Sequence, residues 1–227
     1  YFIQDDVLRL QVFHIYSPMV DAVLNGTIGL DQTLNLDIDV RDIDMKRIEH
    51  KLPYEVSGHG TFEGHVTGTI PAPVFDGTLD AKTLTLNGVD IPRAYGHAHY
   101  ENDVVTLDRF GFLQGDGSYD LDLAANLATH GLTGNVLVTD ADLTNLCALV
   151  NQKNDVVKGT LNASAILDGT MEDPYVDLQG TMTKGTIAGY DVHDVAVAAV
   201  LENRVLRFDQ CIGYQGADGV FELTGTA

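Results

Sequence analysis

Two stretches decide the reading of this chain: TGTIPAPVFDG, Thr67–Gly77, and DGTMEDPYVDLQG, Asp168–Gly180. Each runs from Gly-Thr through a short insert to a proline, then into an alternating run that closes on glycine. Gly68-Thr69 matches Gly169-Thr170 and Pro73 matches Pro174, both 101 residues apart. The same spacing relates Asn87-Gly88 to Ala188-Gly189, Glu101-Asn102 to Glu202-Asn203, and Gln114-Gly115 to Gln215-Gly216. One offset held over so many residues is an internal repeat. A partial third copy lies upstream. VLRLQVF at Val7 matches VVTLDRF at Val104, VRDIDMKRI at Val40 matches VTDADLTNL at Val138, and Gly60-Thr61 matches Gly159-Thr160, at spacings of 97, 98 and 99.

Within each copy the hydrophobic period is two, the signature of half-buried strands. GTFEGHVTGTI places Phe62, Val66 and Ile70 on one face, and TLTLNG places Leu84 and Leu86 before an Asn-Gly hairpin turn. YENDVVTLDRF reads as a hairpin turning at Glu101-Asn102-Asp103, with Val105 and Leu107 inward. SYDLDLAANL sets Tyr119, Leu121 and Leu123 against Asp120 and Asp122, and Val136 and Val138 continue the row. The equivalent inward positions stay apolar in the other copies: Leu8 and Leu10 upstream, Leu206, Phe208, Phe221 and Leu223 downstream. The repeat boundaries fall at 1–59, 60–158 and 159–227, in one continuous β domain of roughly sixteen strands. DADLTNLCALV interrupts with a helical set, Leu143, Leu146, Cys147 and Val150, capped by Asp140 or Asp142. Its earlier copy has Met45, Ile48 and Leu52, stopped by Pro53.

Composition bounds the chemistry. With 33 acidic against 13 basic residues the net charge is −20, which repels a phosphate backbone, so no nucleic-acid partner is expected. Cys147 and Cys211 form no disulfide framework and no CxxC motif. No apolar run approaches the ~18–20 residues of a membrane span. The chain opens and closes inside strand-like runs, so it reads as a piece of a longer protein. Catalysis and cofactors are not expected, since GxSxG, HExxH and phosphate-binding loops are missing from the sequence. His97-Ala98-His99 places two imidazoles on one strand face, yet Ala198 and Val200 replace them in the next copy, so no metal site is expected. Asp42, Asp44, Asp140 and Asp142 lack the DxDxDG spacing of a calcium loop and read as helix caps.

The order GT…GTxxxPxxxG, the NG turn, the YENDVVTL hairpin, the VTDADLTNL strand-to-helix step and VKGTLNASAILDGT resemble the TamB and AsmA-like bridge proteins of the diderm bacterial envelope. The resemblance implies an all-β, elongated, U-shaped antiparallel meander (a β-taco) with an apolar inner groove and short interrupting helices. It implies a periplasmic location, a parent protein anchored in the inner membrane, and a role in lipid transport and outer-membrane biogenesis. The inward residues would then contact acyl chains of phospholipid. An outer-membrane β-barrel of the TamA/BamA type would be the partner, through parts outside this chain. Burying methylenes stabilises by ~0.8 kcal/mol each, so an acyl path needs no fixed polar pocket. Two other readings stay open: the same rows would fill an ordinary sandwich core, or a repetitive structural or adhesin-like envelope module without a lipid path.

Overall fold

The computed structural model of the chain describes residues 2–4, 6–47, 55–149, 156–217 and 219–226. Ile48, Leu52, Pro53 and Val150, four members of the expected helical interruptions, lie outside them. The described residues form fifteen strands in a single sheet whose spatial order is the chain order, β1 to β15. Neighbouring strands such as β1 and β2, β2 and β3, β10 and β11, and β11 and β12 pair antiparallel. The order has two ends, so the sheet is not closed into a barrel.

The strands are β1 (Phe2–Gln4), β2 (Val7–Tyr16), β3 (Val20–Gly29), β4 (Leu34–Asp44), β5 (Val56–Thr69), β6 (Ala72–Leu86) and β7 (Val89–Glu101). There follow β8 (Val104–Gln114), β9 (Gly117–Asn126), β10 (Leu132–Asp142), β11 (Val157–Gly169) and β12 (Pro174–Ile187). The last three are β13 (Tyr190–Glu202), β14 (Val205–Gln215) and β15 (Gly219–Thr226). A 3-10 turn, Met45–Arg47, follows β4, and the helix α1 (Leu143–Leu149) follows β10. By contacts the chain forms two compact units, Tyr1–Leu86 with Asp90–Phe110, and Asn87–Val89 with Gly111–Ala227. The division falls inside β8 and not at an expected repeat boundary. Asn87–Val89 joins the second unit where the Asn87 side-chain amide donates to the Leu149 carbonyl at the end of α1 (2.9 Å).

The repeat is visible pair by pair. In the first unit Leu36 faces Val66, Ile38 faces Gly64, Val40 faces Phe62 and Ile43 faces Gly60. The residues 98 and 101 positions later pair identically in the second unit: Gly134 with Leu167, Val136 with Ala165, Val138 with Ala163 and Ala141 with Leu161. The 99-residue match of Gly60 to Gly159 is thereby corrected. Gly60 pairs with Ala81, and the residues 101 further on, Leu161 and Met182, are the pair that replaces them.

Turn chemistry repeats too. Asn87-Gly88 and Ala188-Gly189 hold positive φ at both positions, as do Asn102-Asp103 and Asn203-Arg204, the geometry of the primed turns that suit twisted hairpins. Glu101, expected in the turn, is the last residue of β7. The GTxxxP turns carry a second function. Ile70 N–H donates to the Gln32 carbonyl (3.0 Å) and Met171 N–H to the His130 carbonyl (2.9 Å), so each turn is stitched to the hairpin turn before it. Bulges recur as well. Val12 in β2 and Asp140 in β10 have left-handed φ, and their N–H groups donate to Asn25 (2.8 Å) and Asn162 (2.9 Å) on the neighbouring strands.

Candidate functional site

Cross-strand register sorts the side chains of each unit into two chemically different faces. In the first unit one row runs Leu10, Gly26, Leu36, Val66, Phe75 across β2 to β6. Beyond the intervening row of Leu24, Ile38, Gly64 and Gly77 comes Ala22, Val40, Phe62, Leu79. In the second unit the rows are longer: Tyr119, Val138, Ala163, Gly180, Val197, Cys211, Leu223 from β9 to β15, and Leu121, Val136, Ala165, Leu178, Ala199, Phe208 beside it. Every residue of these rows is apolar or glycine. In β4 and β9 a single-residue slip would bring polar residues such as Asp37 and Asp120 into them, which fixes the register there.

The residues expected to line a groove take the following positions. Leu8, Leu10, Phe62 and Val66 are in the first unit's rows, with Leu10 and Val66 buried. Leu84 and Leu86 are half-buried after the left-handed bulge at Thr83. Val105 and Leu107 are half-buried, while Asp108 lies 4.0 Å from His97 on the polar side. Tyr119, Leu121, Leu123, Val136, Val138, Leu206, Phe208 and Phe221 are in the second unit's rows. Two depart from the expectation. Ile70 lies beyond the end of β5 and is 58% exposed, because the alternation was carried past the strand into the turn. Leu223 keeps the apolar side but is 53% exposed on β15, the last strand of the order.

The sequence reading passed over about as many row members as it found, among them Leu24, Ile38, Leu79, Ala163, Met182 and Val197. The alternation in LNLDIDV, Leu34–Val40, was signal enough for β4. In β13, VAVAAVL is apolar on both faces, and alternation alone does not assign it. Packing on these faces is firm but not sealed: among the described residues no large side chain falls below 2% exposure. Tyr119 and Ile91 come nearest, both at 3%, and the Tyr119 ring is stacked on Phe112 at 4.4 Å. Burial pushes the Tyr119 hydroxyl up to about 12, helped by the nearby Asp142 charge. Its oxygen has no hydrogen-bond partner in the structure.

The opposite face is carboxylate-rich, and its histidines are matched to those carboxylates. In the first unit Asp37, His65 and Asp76 face one another across β4, β5 and β6, with His65 2.6 Å from Asp37. Asp76 receives both imidazoles of the His97-Ala98-His99 stretch, at 3.2 and 3.0 Å. The hydrogen bond from His99, then that from His97, holds the Asp76 carboxyl below its usual range. His14 pairs with Asp21 (2.6 Å) and His59 with Asp42 (2.8 Å). Among the described residues no group of three or more His, Cys, Asp or Glu is placed to hold a metal ion.

Two shallow concavities open on the polar faces. One, about 690 Å³, is lined by Asp37, Asp39, Glu63, His65, Asp76 and His97 of the first unit, among others. The other, about 400 Å³, is lined by Asp120, Asp122, Asn135, Ser164, Asp177 and Gln179 of the second. The first is largely charged, whereas the second is mixed: Val136, Leu137, Ala165 and Ile166 also line it, and Val136 and Ala165 belong to an apolar row. The aspartates read as caps divide by role. Asp142 accepts from the N–H groups of Thr144 (2.9 Å) and Asn145 (3.0 Å) and caps α1, and Asp44 accepts from Lys46 N–H (3.2 Å). Asp140 instead forms the bulge. Leu149 is the buried residue of α1, with Leu143, Leu146 and Cys147 half-buried. Cys211 is buried in a cluster with Met182, Val192 and Val195, where burial raises its thiol pKa. Neither cysteine is in a disulfide. Among the described residues no helix is long and apolar enough to cross a membrane. Comparison with family models, curated proteins and solved structures finds no match.

Proposed function

We propose that the chain is a periplasmic segment of an envelope bridge protein of the TamB and AsmA-like kind, and that its apolar rows carry acyl chains of phospholipid between membranes. The observation that carries this reading is the composition of the rows. Seven strands of the second unit contribute Tyr119, Val138, Ala163, Gly180, Val197, Cys211 and Leu223 without one polar interruption. Such a surface favours methylene chains of any identity and offers no fixed polar contact to stop them sliding. Small residues in the rows leave room beside large ones, so an acyl chain meets a face of uneven depth. The resemblance in the turn and hairpin motifs supports the location, the inner-membrane anchor of the parent protein and a barrel partner of the TamA/BamA type.

A second reading, a repetitive structural or adhesin-like envelope module, is favoured by the low exposure of Tyr119 and Val138, 3% and 6%. There the neighbouring side chains already cover the row. Photocrosslinking separates the two readings. The chain is produced in the periplasm of a diderm bacterium with a photoreactive residue at Leu121 or, as control, at Asp120. Labelled phospholipid is expected at Leu121 alone. Equal labelling at both positions, or none at either, defeats the lipid reading.

A further inference from the structure

We propose that α1 is a strap over one end of the second unit's apolar face, latched by Asn87, and that its release opens a further row to an acyl chain. The occupant rests on the lipid reading; the strap does not. Exposure across the face marks where α1 lies. Ala141, Leu161, Met182 and Val195 form the row beyond Val138, paired across β10 to β13. They are 0%, 6%, 4% and 5% exposed. On the other side of the Tyr119 row, Leu121, Val136, Ala165 and Leu178 are only half-buried. The face is covered at one end and open away from it.

The cover is α1. Leu143 packs on the cluster of Met182, Val192, Val195 and Cys211, which lies on β12 to β14, although α1 follows β10. The first unit repeats the placement. Met45 is the counterpart of Leu143, each being the first residue past its strand. Its Cε lies 2.7 Å from a Cβ built on Gly60, which faces Ala81. Leu161 and Met182 are the equivalents of that pair, so both units set this residue over the same point of the face.

Few bonds hold the strap. Its seven residues make about 10 Å of helix, too short to persist without outside support. Asp142 caps one end through the N–H groups of Thr144 and Asn145. At the other end the Leu149 carbonyl, which has no partner within the helix, accepts from the Asn87 side-chain amide at 2.9 Å. Asn87 has a φ of 49°, and Ala188 holds the equivalent turn at 51° without a side-chain donor. The turn therefore does not need the amide, whereas the latch does. A short element held at its ends opens ahead of the sheet it covers.

Cys211, 9% exposed in the cluster that Leu143 covers, reports that opening. The full chain with Cys147→Ala keeps Cys211 as its one thiol, and it is treated with N-ethylmaleimide or N-dodecylmaleimide. Asn87→Gly removes the amide and suits a positive φ, and Asn87→Asp sets a carboxylate against the Leu149 carbonyl. Both are expected to speed N-ethylmaleimide modification and amide exchange in α1 by about fivefold or more, with exchange in β11 unchanged. N-dodecylmaleimide is expected to gain more than N-ethylmaleimide does. Unchanged Cys211 rates in both folded variants overturn the strap, and so does exchange that rises equally in β11, since the whole unit is then opening. An equal gain for the two maleimides overturns the acyl occupant. The lipid reading is judged separately by photocrosslinking at Leu121, whose row α1 leaves open, so the two fail by different results.

Discussion

The ring of Phe62 lies over Gly77. A Cβ added to Gly77 would come within 2.7 Å of Phe62 Cζ and equally close to Gly64 Cα. In the second unit the corresponding places hold Ala163 and Leu178, so bulk has moved from one strand to the next while the row stays filled. The two copies thus share a register but not a packing solution.

That relationship predicts an asymmetric cost. Gly77→Ala is expected to destabilise the chain by about 1–3 kcal/mol, because the added methyl meets both a ring and backbone. In a Phe62→Ala background the same substitution is expected to cost less, since the ring has gone and only the backbone contact remains. Urea midpoints of the two single variants and the double measure the coupling. Strict additivity would mean the ring and the glycine are independent.

Tyr119 gives a prediction of opposite sign. Its hydroxyl is buried without a partner, a cost that the ring's burial and its stacking on Phe112 offset. Tyr119→Phe keeps the ring and removes the orphan oxygen. Stability is expected to rise by about 1 kcal/mol, read as a higher Tm. A loss of stability would show that the hydroxyl is satisfied in solution.

How far the sequence went is clearest along β8. Val105 and Leu107 were legible by alternation, but Arg109 takes a left-handed φ of 49°. Past it the ring that stacks on Tyr119 belongs to Phe112, an even position after two odd ones. Bulges reset the parity, and nothing in a single sequence announces them at Val12, Arg109 or Asp140. Turns were easier to read. Asn-Gly, and glycines repeated at 101 residues, report backbone conformations that few other residues adopt. A small row member such as Gly180 escaped because its role is to leave space: Leu161 Cδ1 and Ala163 Cβ each lie 3.1 Å from a Cβ built on it.

His193 makes stability depend on pH. Its Nε2 lies 3.0 Å from the Gly216 carbonyl and its Nδ1 2.8 Å from Asp194. Both ring nitrogens face acceptors, so both bonds form only when the ring is charged. The Gly216 carbonyl first, then Asp194, therefore raises the His193 pKa above its ordinary 6.5, against the smaller opposing effects of desolvation and then Lys184. A raised folded-state pKa contributes stability that is fully present below the unfolded value and lost as pH rises through the folded one. The chain is expected to lose this contribution as pH rises above 6.5 and through the raised folded-state value, and His193→Gln is expected to flatten that part of the profile. Denaturation midpoints of both proteins across the range decide it. Parallel profiles would remove His193 from the explanation.

The last prediction sets a charge on each side of one strand. Leu107 is half-buried between residues of the apolar alternation, and Asp108, the next residue, is exposed towards His97. If the apolar face carries acyl chains, Leu107→Arg puts a guanidinium on the path. Passing it costs a methylene chain at least about a few kcal/mol of lost burial, unless the arginine extends its head into water. Asp108→Arg makes the larger charge change, +2 against +1, but on the polar side, where the acyl chain does not pass. In the parent protein Leu107→Arg is expected to abolish complementation of a null strain, and Asp108→Arg to retain it. A folding defect would mimic the first result, so both variants are compared by urea unfolding beforehand, and Leu107→Met serves as the conservative control. If folded Leu107→Arg supports growth as well as Asp108→Arg does, the apolar row is only the protein's own packing and the structural module is the better account.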